Sequence, residues 1–178
     1  DQKAAADAKA AADKLAADQK AAHDAQVAQE EAAYREYIRI HGTRDNPVNT
    51  ETTGDDFING NQGSITGSLV TFTANGSDIY IFNAVKTTTL PTANVKINNF
   101  SSSTGDKLYF HVSNTANYTE INARYKVSDN GTDVTLIAND DGSVQLISLI
   151  GLSGDRTSVG GAIDSITELN TFLGNNAI

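Results

Sequence analysis

The sequence predicts a mainly β protein, a sandwich or roll of short antiparallel strands. One long alanine-rich α-helix precedes it and a short C-terminal helix follows. Three observations lead there. Residues 1–41 contain no Pro or Gly and are dominated by Ala, the best helix former, with Lys, Gln and Glu close behind. Beyond them, short apolar or alternating runs recur about every eight to fifteen residues between Asn/Asp/Gly turns. Near the end, Ser165-Ile166-Thr167-Glu168 forms a capping box ahead of Ile166, Leu169, Phe172 and Leu173, the apolar face of a short helix that Gly174 stops. The expected organisation is a helix over 1–42, a linker over 43–53 and a β-rich domain over 54–178.

The helix is long for a chain of this size. At about 1.5 Å per residue it measures roughly 60 Å, more than the width of a small domain. Its larger residues repeat at an interval of eleven: Ala5, Ala16, Val27 and Ile38, with Leu15, Gln26 and Tyr37 beside them and Ala12, His23 and Tyr34 on the same side. An eleven-residue period gives a nearly straight or slightly right-handed supercoil. Lys3–Asp7, Lys9–Asp13, Lys14–Asp18 and Lys20–Asp24 are pairs four apart, as is Glu31–Arg35. A semi-rigid spacer and an oligomerisation helix both fit. His23 and His41 have no second ligand at metal-binding spacing and read as solvated helix residues. Gly42 ends the helix as its left-handed C′ residue.

Residues 43–53 are polar and aperiodic, which reads as a linker. Then comes Gly54-Asp55-Asp56-Phe57-Ile58-Asn59-Gly60-Asn61-Gln62-Gly63. It is either a Gly/Asn turn leading into a strand or a calcium turn whose oxygen ligands would be Asp55, Asp56, Asn59 and Asn61. Strands are expected over 64–73, 78–82, 95–100, 108–112, 124–127, 133–138 and 144–152. The first carries Ile65, Leu69 and Phe72. Turns are expected at Asn75-Gly76, Thr104-Gly105-Asp106, Asp129-Asn130-Gly131 and Asp140-Asp141-Gly142.

Composition narrows the function. With no Cys, the chain has no disulfide framework, thiolate metal site or cysteine nucleophile. A formal net charge of −9 argues against nucleic acid as a partner. No apolar run approaches the roughly 20 residues of a membrane span, and the first residues carry no apolar core of a secretory signal. No Gly-x-Ser-x-Gly, His-Glu-x-x-His or phosphate loop occurs. His111 alternates with Tyr109 along a strand and has no nucleophile in a recognised motif. The chain therefore does not read as an enzyme.

The middle stretch resembles a known family. Gly76-Ser77-Asp78-Ile79-Tyr80-Ile81-Phe82, Val95-Lys96-Ile97-Asn98-Asn99-Phe100 and Gly105-Asp106-Lys107-Leu108 come in order. Gly131-Thr132-Asp133-Val134-Thr135-Leu136 and Leu146-Ile147-Ser148-Leu149-Ile150-Gly151 follow. The series is similar to the C-terminal region of repeats-in-toxin proteins exported by bacterial type I secretion systems. Asn94 stands where that family usually has Asp, and tandem glycine-rich repeats are nearly absent. The resemblance implies export through the type I machinery by an uncleaved C-terminal signal, an extracellular or cell-surface location, and calcium as cofactor. The expected function is an extracellular structural protein that self-assembles at the bacterial surface into a filament, layer or adhesive coat. The alternatives are the export module of a larger protein of this family, or a monomeric module binding calcium or a glycan. The expected partner is another copy of the chain, as a homo-oligomer or polymer.

Overall fold

A computed structural model describes residues 2–63, 67–84, 91–111, 118–140, 143–152, 155–174 and 178, except for the side chains of 4, 5, 118–120 and 140. The chain divides into two compact units, residues 1–40 and 41–178.

Helix α1 runs Gln2–His41 without interruption, as its alanine content requires. Lys9–Asp13, Lys14–Asp18 and Lys20–Asp24 are formed at 2.6, 2.9 and 2.6 Å, and Glu31–Arg35 at 3.4 Å. These pairs are exposed, so each adds only a few tenths of a kcal/mol, about 0.3. Gly42 follows with φ 73°, the left-handed conformation a C′ residue needs.

The second unit is mainly β, as expected. Its strands are β1 Phe57–Asn59, β2 Val70–Thr73, β3 Ile79–Asn83, β4 Ala93–Asn98, β5 Lys107–His111, β6 Lys126–Asp129, β7 Val134–Asp140 and β8 Ser143–Ile150. Helix α2, Tyr118–Arg124, falls between β5 and β6, and α3, Ile166–Phe172, follows β8 after a 3-10 turn at Thr157–Val159. Two sheets form, one in the order β1-β3-β5 and one in the order β2-β4-β8-β7-β6. The expected residues Ile65, Val112, Asp141 and Gly142 lie outside the described residues.

The strand pairing corrects one part of the expectation. Only β6–β7–β8 is antiparallel; β1–β3–β5 and β2–β4–β8 pair in parallel. The turns at Asn75-Gly76 and Thr104-Gly105-Asp106 are tight but do not make hairpins. Each carries the chain from one sheet to the other, so in β1–β3–β5 and β2–β4 a strand pairs with the one after next. Parallel neighbours need a long crossover; for β1–β3, β3–β5 and β2–β4 it contains one strand of the opposite sheet, and for β4–β8 it contains β5, α2, β6 and β7. The result is a roll whose turns superimpose Phe57 on Ile79 and Ile79 on Lys107.

Superposition puts like residues on like. Ile58, Tyr80 and Leu108 form one inward row, and Val95, Ile147 and Leu136 another; all are at most 1% exposed. Aromatic rings continue the stacking between the sheets. Phe72 meets Tyr80 at 5.5 Å and Tyr80 meets Phe100 at 6.4 Å, while Phe110 lies 5.7 Å from Phe82 and 4.9 Å from Tyr125. These separations suit tilted and offset ring packing.

Residues 43–53, expected as a linker, are bonded into the roll. Val48 N donates to the Phe57 carbonyl at 2.8 Å, Asn59 N to the Val48 carbonyl at 2.7 Å, and Thr73 N to Glu51 Oε1 at 2.5 Å. Polar, aperiodic sequence is what a segment needs when its work is to satisfy the backbone of an edge turn.

At the other end α3 forms as the sequence predicts. Ser165 Oγ accepts from Glu168 N at 3.2 Å, and Ile166, Leu169 and Leu173 are buried. The Glu168 carboxylate reaches back to Asp164 N at 2.9 Å. Asp129 and Arg156 fasten this region. Arg156 Nε and Nη2 donate to the Asp129 carboxylate at 2.5 and 3.0 Å, and Ile163 N adds a third bond at 3.0 Å. The guanidinium also lies 5.0 Å from the Phe172 ring centre. With Arg156 as first cause, the Asp129 carboxyl is held down at about 2.

Candidate functional site

The most built polar feature is a column of three buried aspartates, Asp56, Asp78 and Asp106, none more than 1% exposed. Each precedes a strand of the three-stranded sheet by one residue. Asp56 N donates to Asp78 Oδ1 at 3.0 Å, and Asp78 N donates to Asp106 Oδ1 at 3.0 Å. The sequence separations are 22 and 28 residues. The carboxylates of Asp78 and Asp106 thus each accept the backbone N–H of the turn before. A buried carboxylate persists only when its oxygens are satisfied, and the remaining ones are. Asp78 Oδ2 accepts from Asn75 N at 3.3 Å, and Asp106 Oδ2 from Ser101 N at 2.8 Å. Asp56 takes Thr52 N at 2.5 Å, Thr52 Oγ1 at 3.1 Å and His41 Nδ1 at 2.6 Å.

The column explains two close glycine positions. A Cβ on Gly76 would sit 2.4 Å from the Gly54 carbonyl oxygen. Gly105 has φ 105°, and a Cβ there would fall 2.0 Å from Ser77 Oγ. Any larger residue at either would push successive turns apart.

Electrostatics follow from the stacking. Burial first, then the charges of Asp56 and Asp106, push the Asp78 carboxyl above the ordinary range, although the N–H bonds from Asp56 and Asn75 pull the other way. Glu51, half-buried beside the same region, is raised mainly by desolvation. Tyr80 is fully buried, and desolvation raises its hydroxyl far above the usual phenol value.

The structure places the four residues expected as calcium ligands in separate roles. Asp56 belongs to the column. Asp55 Oδ1 accepts from Ser77 N at 2.9 Å. Asn59 Oδ1 accepts from Asn61 N at 3.0 Å, and Asn61 Oδ1 accepts from Asn83 N at 3.1 Å and from Gln145 Nε2 at 3.2 Å. Their oxygens each accept from a different donor. Among the described residues no three His, Cys, Asp or Glu side chains are grouped to hold a metal.

His41, expected as solvated, is half-buried and paired with Asp56. With a carboxylate as its partner, Nδ1 is the protonated nitrogen. Thr52 Oγ1 also lies on the Nδ1 side, at 3.3 Å. A hydroxyl nucleophile would need the other ring nitrogen as its base, so this trio caps the column and does not activate Thr52. Gln145, fully buried, belongs to a second polar cluster. Its Nε2 donates to the carbonyls of Asn83 and Pro91, each at 2.9 Å, and its Oε1 accepts from the Tyr125 hydroxyl.

Sequence reading missed Asp78, Asp106 and His41 as members of one network with Asp56, and Gln145 as a member of a separate cluster with Asn61 and Asn83. A signal was present. Gly54-x-Asp56-x-Ile58 and Gly76-x-Asp78-x-Tyr80 are one pattern, and Gly105-Asp106-x-Leu108 is the same pattern with the glycine moved by one. That is a structural repeat with a period in the range of stacked turns. Nothing in the linear spacing marks His41, which reaches Asp56 only through the fold, or Gln145, which meets Asn61 and Asn83 in the same way.

A second feature lies on the outer face of the three-stranded sheet. A groove of about 530 Å³ is lined by Arg44, Asp45, Phe57, Ile79, Lys107 and Tyr109 among others. The Arg44 guanidinium lies 5.5 Å from the Tyr109 ring centre.

Compared with protein-family models, curated proteins and solved structures, the chain finds no match in any of the three. Among the described residues no helix is long and apolar enough to cross a membrane.

Proposed function

We propose that this chain is an extracellular structural protein of a bacterial surface, exported by a type I system, that self-assembles into a filament, layer or adhesive coat. The observation that carries this reading is α1. Residues 1–40 make a unit of their own, and Leu15, Val27, Tyr34, Tyr37 and Ile40 are exposed on it. Scattered exposed apolar residues are ordinary, but five large ones along an alanine helix offer a surface for contact with another chain.

The roll suits the same role. Its side-chain column fixes successive turns to one another and presents no group in a reactive geometry. Contacts between unlike surfaces of identical chains propagate when they do not close, and a helix and a rigid roll are two unlike surfaces. The location and export route rest on the resemblance of residues 54–178 to repeats-in-toxin C-terminal regions.

Negative-stain electron microscopy and sedimentation of the purified chain, with calcium and then with chelator, test the reading. Ordered polymers are expected. Loss of them on chelation would add calcium to the assembly. Uniform monomers in both conditions would overturn self-assembly and leave export module as the better description. The groove at Arg44 and Tyr109 favours a second reading, a module that binds a ligand such as a glycan, for which saturable binding by a monomer is the sign.

A further inference from the structure

We propose that Asn75 is a site of spontaneous modification: the Asn75–Gly76 peptide rearranges through a cyclic imide to isoaspartate and so loosens the turn that leads into the aspartate column. The reaction does not depend on whether the chain assembles.

An Asn–Gly pair is open to this chemistry because glycine has no Cβ to shield its nitrogen. The Gly76 nitrogen attacks Asn75 Cγ. An N–Cγ bond forms, the Cγ–Nδ2 bond breaks, and the amide nitrogen leaves as ammonia with the proton that Gly76 gives up. Water then opens the imide. Addition at Cγ leaves an ordinary aspartate. Addition at the former backbone carbonyl routes the main chain through Cβ and Cγ, which is isoaspartate. Either product has exchanged ammonia for water and carries one more negative charge.

The chain has three such pairs, Asn59–Gly60, Asn75–Gly76 and Asn130–Gly131, and the fold treats them differently. Gly60 N is committed to the Ile81 carbonyl at 2.8 Å. Asn59 Oδ1 accepts from Asn61 N and Asn59 Nδ2 donates to Asn49 Oδ1, both at 3.0 Å. Asn130 is exposed but tied as well. Its Oδ1 accepts from Thr132 N at 2.9 Å and Asp133 N at 2.7 Å, and Gly131 N donates to Asp129 Oδ1 at 2.8 Å. At both sites nucleophile and amide must give up bonds before they meet, and each bond broken raises the barrier.

Asn75 carries no such restraint. It is exposed, and among the described residues neither its side chain nor Gly76 N makes a hydrogen bond. The amide can swing onto the Gly76 nitrogen without losing a partner.

The place of this turn gives the reaction its consequence. Ala74 N donates to the Asn98 carbonyl at 3.0 Å, Asn75 N to Asp78 Oδ2 at 3.3 Å and Ser77 N to Asp55 Oδ1 at 2.9 Å. Between these anchors, a Cβ on Gly76 would come within 2.4 Å of the Gly54 carbonyl oxygen. Isoaspartate puts an extra main-chain carbon into a turn with no slack. It also sets a new carboxylate near buried Asp78, which already faces Asp56 and Asp106.

The full chain is held in neutral buffer and sampled over time. Peptide mapping by mass spectrometry follows each pair, with electron-transfer fragmentation to tell isoaspartate from aspartate. Conversion at Asn75 is expected to be at least about tenfold faster than at Asn59 or Asn130, with isoaspartate the larger product. In denaturant the three should convert at similar rates, since only the following glycine then matters. Equal rates in the folded chain, or Asn130 leading, would overturn the proposal. So would conversion of all three in denaturant and of none in the fold. Asn75→Ala, with no amide to cyclise, checks the consequence. The aged natural chain should unfold at lower denaturant than the fresh one, while aged and fresh Asn75→Ala should unfold together. Fresh Asn75→Asp adds the charge without the extra carbon and should fall between the fresh and aged natural chains. An unchanged midpoint in a chain converted at position 75 would overturn the link to the column.

Discussion

Residues 2–40 and the roll that follows are held by interactions of different range. In the helix, Lys9–Asp13 and Lys20–Asp24 join positions four apart and stay exposed. In the roll, His41 reaches Asp56 across 15 positions, Asp56 reaches Asp78 across 22, and Gln145 reaches Asn61 across 84. The helix gains one backbone bond per residue as it lengthens, and no single side chain is indispensable to it. The roll gains nothing until distant turns are superimposed, and then buried polar atoms make each partner necessary. A change in the first region should therefore be felt locally and gradually. A change in the second should be felt by the whole unit.

The sharpest way to break that contrast is Asp78→Ala. It leaves the N–H groups of Asp56 and Asn75 without their acceptor in a buried site, which should cost about 3 kcal/mol. Denaturant unfolding of the roll measures it. Asp78→Asn keeps an acceptor oxygen and removes a desolvated charge, so its cost should be clearly smaller. Equal costs for the two would mean that the charge, and not the bonded oxygen, holds the turns together.

Acid sharpens the comparison next. Glu51 and Asp78 have raised values in the fold. Their contribution to stability is complete below the ordinary carboxylate value of about 4 and is lost as pH rises through the raised one. Asp129 is depressed to about 2. Its contribution is present above the ordinary value and disappears as pH falls from there to about 2. The melting temperature of the roll should rise modestly as pH drops from 7 into the raised carboxylate range, then fall between about 4 and 2. A steady decline beginning at neutral pH would contradict the raising of Asp78 and Glu51 by burial.

The smallest effect belongs to the helix. Ala21→Gly, in an exposed interior turn, should lower helix stability by about 1 kcal/mol. Circular dichroism would show the loss of helicity. Unfolding of the roll, followed by near-ultraviolet signals of its buried tyrosines, should not move. A matching shift in the roll would mean that the two regions are not energetically separate.

The same difference in range explains what could be read in advance. The extent of α1, the left-handed Gly42 and the Ser165 cap of α3 all depend on residues within a few positions, and each is where local propensity puts it. The inward positions of the strands were also legible, because alternation is a local pattern. Of the proposed site, Asp55, Asp56, Asn59 and Asn61 were picked out by their oxygen chemistry. Their partners were not, since Asp78, Ser77, Asn83 and Gln145 become neighbours only when one turn lies over the next.

Amino-acid order alone thus determined the class of the chain: a long alanine helix, a β-rich body of short strands, and a capped helix at the end. Tertiary structure decided the direction of pairing, the assignment of residues 43–53 to the roll, and the use of acidic side chains as acceptors for backbone N–H groups. The physical reason is that a strand's alternation is the same beside a parallel or an antiparallel neighbour, and a carboxylate looks the same whether it awaits a cation or a peptide N–H. Only the three-dimensional superposition of Asp56, Asp78 and Asp106 brings these carboxylates to the N–H groups they accept.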